Sequence, residues 1–159
     1  MPKVLRTPSG RGIYLIPRSG SHSIAAAVMQ SFHPEIAIDA SAHPAASYPD
    51  AGGDGPLCVI VRNPVERFRS MVAHAQSTVE EQLAAPRYGC EFCFGQTYDA
   101  YFRFEDQLQA CADWLGITVP LPHLDGTDEA DKPTLTPEQD AAVRLIYAAD
   151  IALWESLQN

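Results

Sequence analysis

Ile13-Tyr14-Leu15-Ile16-Pro17-Arg18-Ser19-Gly20-Ser21-His22-Ser23, running on into the alanine-rich stretch Ile24 to Phe32, decides how this chain is read. Four apolar residues of strand character end in a Gly/Ser turn, and the turn opens a helix. A strand–turn–helix of this kind aims several backbone N–H groups at one spot. The helix N-terminus adds partial positive charge there, which suits a phosphate or sulfate. Arg18 brings a full charge, and Ser19, Ser21 and Ser23 bring hydroxyl donors. The stretch reads as an anion-binding loop.

A second stretch has the same logic. Leu57-Cys58-Val59-Ile60-Val61 is a continuous apolar run, as expected of a strand buried on both faces of a parallel sheet. Arg62-Asn63-Pro64 stops it, and Pro64 is suited to the first turn of a helix reaching about Gln76. Strand ends that open helices are where open α/β sheets place their ligands. Arg62 and Ser70, eight positions apart, are the candidates for a second phosphate. Arg69 is expected on a solvated helix face; Arg67 is expected there too, or paired with Glu66 or another acidic neighbour.

Around these stretches the sequence alternates strands and helices. Residues 1 to 11 read as a loose lead-in, Ile36 to Ile38 as a short strand, and the segment from Asp50 to Pro56 as a turn or flexible loop. Thr78 to Ala84 is helical, Pro86 to Thr97 an irregular loop, and Tyr98 to Phe104 an aromatic strand. An amphipathic helix opens at Glu105 or Asp106 and stops at Gly116. After a Pro-rich connection, Thr136-Pro137-Glu138-Gln139 starts a last helix with a Thr cap and Pro at its first position. That helix should run to about Leu157, with Val143, Ile146, Tyr147, Ile151, Leu153, Trp154 and Leu157 as its apolar positions. The expectation is an α/β fold with a mainly parallel sheet, in a single domain over residues 1–159.

The bulk chemistry narrows the partners. Eleven Lys and Arg against twenty Asp and Glu leave a formal charge of −9, a poor basis for binding nucleic acid or anionic membranes. Arg62, Arg67 and Arg69 nevertheless cluster, which suggests a discrete anion site. No apolar run approaches the roughly 20 residues needed to span a bilayer, and the N-terminus lacks the apolar core of a secretory signal. Reduced thiols in a cytoplasmic protein are expected. Cys90-Glu91-Phe92-Cys93 is a lone CxxC without a second ligand pair, so no metal is expected.

Taken together, the two stretches resemble the sulfotransferase superfamily. Its members bind the 5′-phosphosulfate of 3′-phosphoadenosine 5′-phosphosulfate (PAPS) with Pro, Lys or Arg, any residue, Gly, Ser or Thr, any residue, then Ser or Thr. Pro17-Arg18-Ser19-Gly20-Ser21-His22-Ser23 is similar to this pattern. They bind the 3′-phosphate with Arg, Asp or Asn, Pro, two residues, Arg, two residues, then Ser, matched here by Arg62 through Ser70. Phe102-Arg103-Phe104-Glu105-Asp106 with the helix ending at Leu115-Gly116, and the stretch Tyr147 to Asp150, also look like family elements.

The resemblance implies a three-layer, P-loop-like fold and transfer of a sulfuryl group to a hydroxyl on a small molecule, glycan or peptide. It implies Arg18 as the catalytic charge and Arg18, Ser19, Gly20, Ser21, His22, Ser23, Arg62 and Ser70 as the PAPS contacts. Arg18 stands where many members have Lys and where the tyrosylprotein branch has Arg. His22 replaces a usual Thr and either touches phosphate or caps the helix. For the general base, Ser41-Ala42-His43-Pro44-Ala45 points to His43, with Glu35 and His33 as alternatives. The lack of Gly-Lys-Ser/Thr argues against a Mg-ATP kinase. A non-catalytic nucleotide-binding or assembly protein with the same fold is the other reading.

Overall fold

A computed structural model describes residues 4–37, 42–47, 53–86, 97–124 and 126–158. Its centre is a four-stranded sheet: Val4–Arg6 (β1), Gly12–Tyr14 (β2), Leu57–Val61 (β3) and Ala100–Arg103 (β4), in that spatial order. β1 runs antiparallel to β2, while β2–β3 and β3–β4 are parallel. Helices flank it, so the protein has the mixed α/β architecture expected, with a mostly parallel sheet.

The chain forms two compact units, one of Met1–Val61 with Tyr98–Asp125 and one of Arg62–Thr97 with Gly126–Asn159. In the first, Ile13, Cys58 and Ile60 present one face of the sheet, with Ala100 and Phe102 beside them. This face packs on Ser21–Phe32 (α1) through Ile24, Ala25, Val28 and Met29, and on Leu108–Leu115 (named α4 below) through Cys111, Ala112 and Leu115. Cys58 and Cys111 are buried free thiols with Sγ atoms 4.0 Å apart. The second unit holds Pro64–Ala75 (α2), Val79–Ala84 (α3), Pro137–Ile146 (α5) and Ala148–Ser156 (α6), while α4, like α1, belongs to the first unit. Its core is Phe68, Val72, Val79, Val143 and Tyr147.

Several boundaries differ from expectation. The lead-in contains β1, whose Leu5 is fully buried. Its turn back to β2 is closed by bonds from Thr7 N to Arg11 O (2.8 Å) and from Gly10 N to Thr7 O (2.9 Å). Three residues with one core-facing side chain are too short for an alternation signal. Ile36 and Ala37 do not form a strand, and Ile38 lies outside the described residues, as do Cys90 and Cys93. α4 opens at Leu108 instead of Glu105 or Asp106, because the Gln107 side chain folds back to accept from Arg103 N at 2.8 Å.

The expected last helix is two helices, α5 and α6, meeting at Tyr147. Thr136, Pro137 and Gln139 start α5 as expected, with a reciprocal capping box. Val143, Tyr147 and Asp150 form the buried line, at spacings of four and three, while Ile146 is 37% exposed. A carboxylate thus occupies a core position that an apolar pattern does not flag. Among the described residues, no helix is long and apolar enough to cross a membrane.

Candidate anion-binding site

In the first unit, Pro17 to Gly20 turn the chain sharply between the sheet and α1. Ser19 N donates to Ile16 O at 3.2 Å, closing the turn. Arg18 at φ 61° and Gly20 at φ 74° both take the left-handed conformation on either side of Ser19. Successive N–H groups in such alternating turns face a common concavity. The first four N–H groups of a helix have no intrahelical acceptor, and α1 has neither a side-chain cap nor an acidic residue in its first turn. The Ser19 hydroxyl, on a residue 3% exposed, has no hydrogen-bonding partner among the described residues. A buried hydroxyl without a partner carries a desolvation penalty of roughly 1–3 kcal/mol, and it lies within this loop.

Gly20 is required twice over. A Cβ there would stand 3.1 Å from Phe104 Cε2, and its φ of 74° is one that side-chain-bearing residues avoid. Gly20→Ala is therefore expected to cost about 1–3 kcal/mol, measured by urea denaturation. Adding Phe104→Leu should recover only the part due to crowding.

The other loop residues have definite partners. Ser23 Oγ accepts from Leu124 N at 3.1 Å, holding the distal connection to the start of α1. The rings of His22 and His43 lie 4.1 Å apart, centroid to centroid. His43 Nδ1 accepts from Ala45 N at 3.1 Å, and His43 Nε2 lies 3.3 Å from Ser21 Oγ. His33 and Glu35 face each other at 3.4 Å on an exposed surface.

In the second unit, Arg62 follows directly on β3 and Asn63 caps α2. Its Oδ1 accepts from Val65 N at 3.0 Å and from Glu66 N at 3.3 Å, and Pro64 needs no acceptor. The N-terminal amides of α2 are thereby occupied, so an anion here would be held by side chains. Asn63→Asp should keep the helix start, while Asn63→Ala should lower stability by about 1 kcal/mol; thermal melts of the two variants check this.

Ser70 is fully buried, and its Oγ lies 3.1 Å from Thr127 Oγ1. Thr127 is a partner that no motif spacing in the sequence indicated. Neither remaining arginine sits on a solvated face. Arg67 is buried and pairs with Asp150 at 3.4 Å, its guanidinium 5.5 Å from the Tyr147 ring centre. Arg69 donates to Pro133 O at 2.9 Å and bridges Glu66 (2.8 Å) and Glu129 (2.7 Å), with Lys132 Nζ also on Glu129 at 2.7 Å. Four charges so tie the segment after Gly126 to α2.

Arg18 through Ser23 and His43 thus belong to the first unit, and Arg62 and Ser70 to the second. Among the described residues, no group of three or more His, Cys, Asp or Glu side chains is placed to hold a metal ion. No family model, curated protein or solved structure matches the chain.

Proposed function

We propose that this protein is a PAPS-dependent sulfotransferase with a three-layer, P-loop-like fold, acting on a hydroxyl of a small molecule, glycan or peptide. The observation that carries the reading is the buried Ser19 hydroxyl, without a hydrogen-bonding partner among the described residues, in a left-handed turn that leads into the N-terminus of α1, which has no side-chain cap. The motif at Arg62 to Ser70, at the end of the next parallel strand, supports a second phosphate contact. The donor set suits the cofactor: it is all N–H, O–H and guanidinium, with no carboxylate in the first turn of α1.

PAPS supplies an activated sulfuryl group. When bound, its S–O bond to the phosphate would give way as a new S–O bond to the acceptor oxygen forms, with the acceptor proton passing to a base. Arg18, Ser19, Ser21 and the loop amides would hold the 5′-phosphosulfate and stabilise charge on the departing phosphate oxygen. A guanidinium is not a proton donor in proteins, so the part of Arg18 would be electrostatic. Arg62 and Ser70 would hold the 3′-phosphate and so select PAPS over ATP. Work in a reducing cytoplasm agrees with the free thiols of Cys58 and Cys111.

A second reading, nucleotide binding without turnover, is favoured by the engagement of both His43 ring nitrogens. Transfer of label from sulfur-labelled PAPS to a panel of phenols, sugars and tyrosine peptides separates the two. Labelled product supports the enzyme; cofactor binding with no product on any acceptor supports the binding protein.

A further inference from the structure

The hydrogen bonds of His43 fix its protonation pattern. The Ala45 backbone amide can only donate, and it donates to Nδ1 at 3.1 Å. Nδ1 therefore holds a lone pair, and in the neutral ring the proton resides on Nε2. Nε2 faces Ser21 Oγ at 3.3 Å, so Nε2–H donates and Ser21 Oγ accepts. A hydroxyl has one proton and two lone pairs. With a lone pair of Ser21 committed to His43, its own O–H is left to be donated elsewhere. Ser21 is the first residue of α1, buried at 6% exposure, and follows directly on the turn that holds Ser19.

We infer that His43 is a positioning residue that fixes Ser21 as a hydrogen-bond donor toward an anion at the start of α1, and does not take the proton of the acceptor hydroxyl. Acting as a base would require a lone pair on Nε2, which carries the proton, or on Nδ1, which Ala45 N–H occupies. The inference deepens the sulfotransferase reading and rests on it for the identity of the anion. It does not rest on it for the role of the ring. His43 joins the site through the 3₁₀ turn Pro44–Ser47, which packs beside α1, and Ala45 of that turn is itself buried in the core of the first unit. The core thus sets the ring, the ring sets the hydroxyl, and the hydroxyl meets the ligand.

Glutamine makes the test selective. Its amide oxygen can accept from Ala45 N and its NH₂ can donate to Ser21, but it has no basicity. Binding of adenosine 3′,5′-bisphosphate (PAP) and of inorganic sulfate is measured by calorimetry for wild type, His43→Gln, His43→Ala, Ser21→Ala and the double variant His43→Ala/Ser21→Ala. Unliganded melting temperatures report on folding.

The expected result is near wild-type affinity for His43→Gln and about tenfold weaker binding for His43→Ala, the loss of one hydrogen bond to an anion. Ser21→Ala should lose as much, and the double variant no more than either single one. Full affinity in His43→Ala, equal losses in the Gln and Ala variants, or losses that multiply in the double variant would overturn the inference. Wild-type binding of sulfate without PAP would overturn the sulfotransferase reading while the same five proteins still decide the role of His43. Binding of neither anion by wild type would overturn both.

Discussion

Arg67→Met lowers the unfolding free energy by about 3–5 kcal/mol, a third or more of the stability of many domains of this size. Arg67 and Asp150 are both buried, and their 3.4 Å contact joins α2 to α6. Removing the guanidinium leaves a carboxylate in the core with no compensating charge, and also ends the stacking of Arg67 on Tyr147. Replacing both partners by apolar residues, as in Arg67→Met with Asp150→Leu, should recover most of the loss, because the desolvation cost goes with the charges. Urea denaturation of the two variants gives the comparison.

The pair also makes stability depend on pH. Burial pushes the Asp150 carboxyl above its usual range, and Arg67 only partly offsets this. With a raised folded-state pKa, the native state keeps a proton that the unfolded chain has released. This contribution is fully present below the unfolded value, about 3.9, and is lost as pH rises through the folded value. Asp150→Asn does not titrate, so its stability should fall less over that window than that of wild type. Denaturation curves collected at intervals upward from pH 4 test the sign; a steeper fall in the variant would contradict it.

On the proposed sulfotransferase reading, Arg18→Gly is expected to remain folded but to lose turnover by about 10²–10³-fold, the usual cost of removing one preorganised donor from a developing oxyanion. Arg18 stands at φ 61°, a conformation that costs a residue with a Cβ roughly 1–2 kcal/mol. Glycine avoids that cost, which offsets its larger unfolded-state entropy of about 0.5–1 kcal/mol. Melting temperatures and PAPS consumption with a productive acceptor are the two readouts. Arg18→Lys should fall between, since an ammonium supplies charge without the planar fork.

The strands and helices around both motifs were legible because local chemistry and tertiary packing agree there. Leu57–Val61 is apolar throughout and buried on both faces, and Pro64 and Thr136–Pro137 start helices where such residues are preorganised to do so. Short or polar features were not legible. β1 has three residues and no alternation to display. Asp150 occupies a core position that only its pairing with Arg67, 83 positions away, makes tolerable. Thr127 meets Ser70 across 57 positions of chain, a proximity that no spacing rule encodes.

The site was legible in residue type and less so in role. Asn63 reads as part of an arginine motif, yet its side chain is spent on capping α2. Ser23 accepts a backbone amide, and His43 is engaged at both ring nitrogens. Ser23 and Leu124, and His43 and Ser21, are brought together by folding, not by sequence, whereas the partners of Asn63 and of His43 Nδ1 are local turn and cap amides that a motif reading passes over.

The central proposal is that the chain binds a cofactor that carries a 3′-phosphate, and that Arg62 recognises this phosphate. The most direct measurement is thermal stabilisation by PAP, AMP and Mg-ATP, on wild type and Arg62→Ala. A ligand present at about 100 times its dissociation constant adds roughly 2.7 kcal/mol, a shift of several degrees. Stabilisation of wild type by PAP, with little from AMP or Mg-ATP and none in Arg62→Ala, is the predicted result. Stabilisation by Mg-ATP in preference to PAP, or an equal response to PAP in Arg62→Ala, would contradict it.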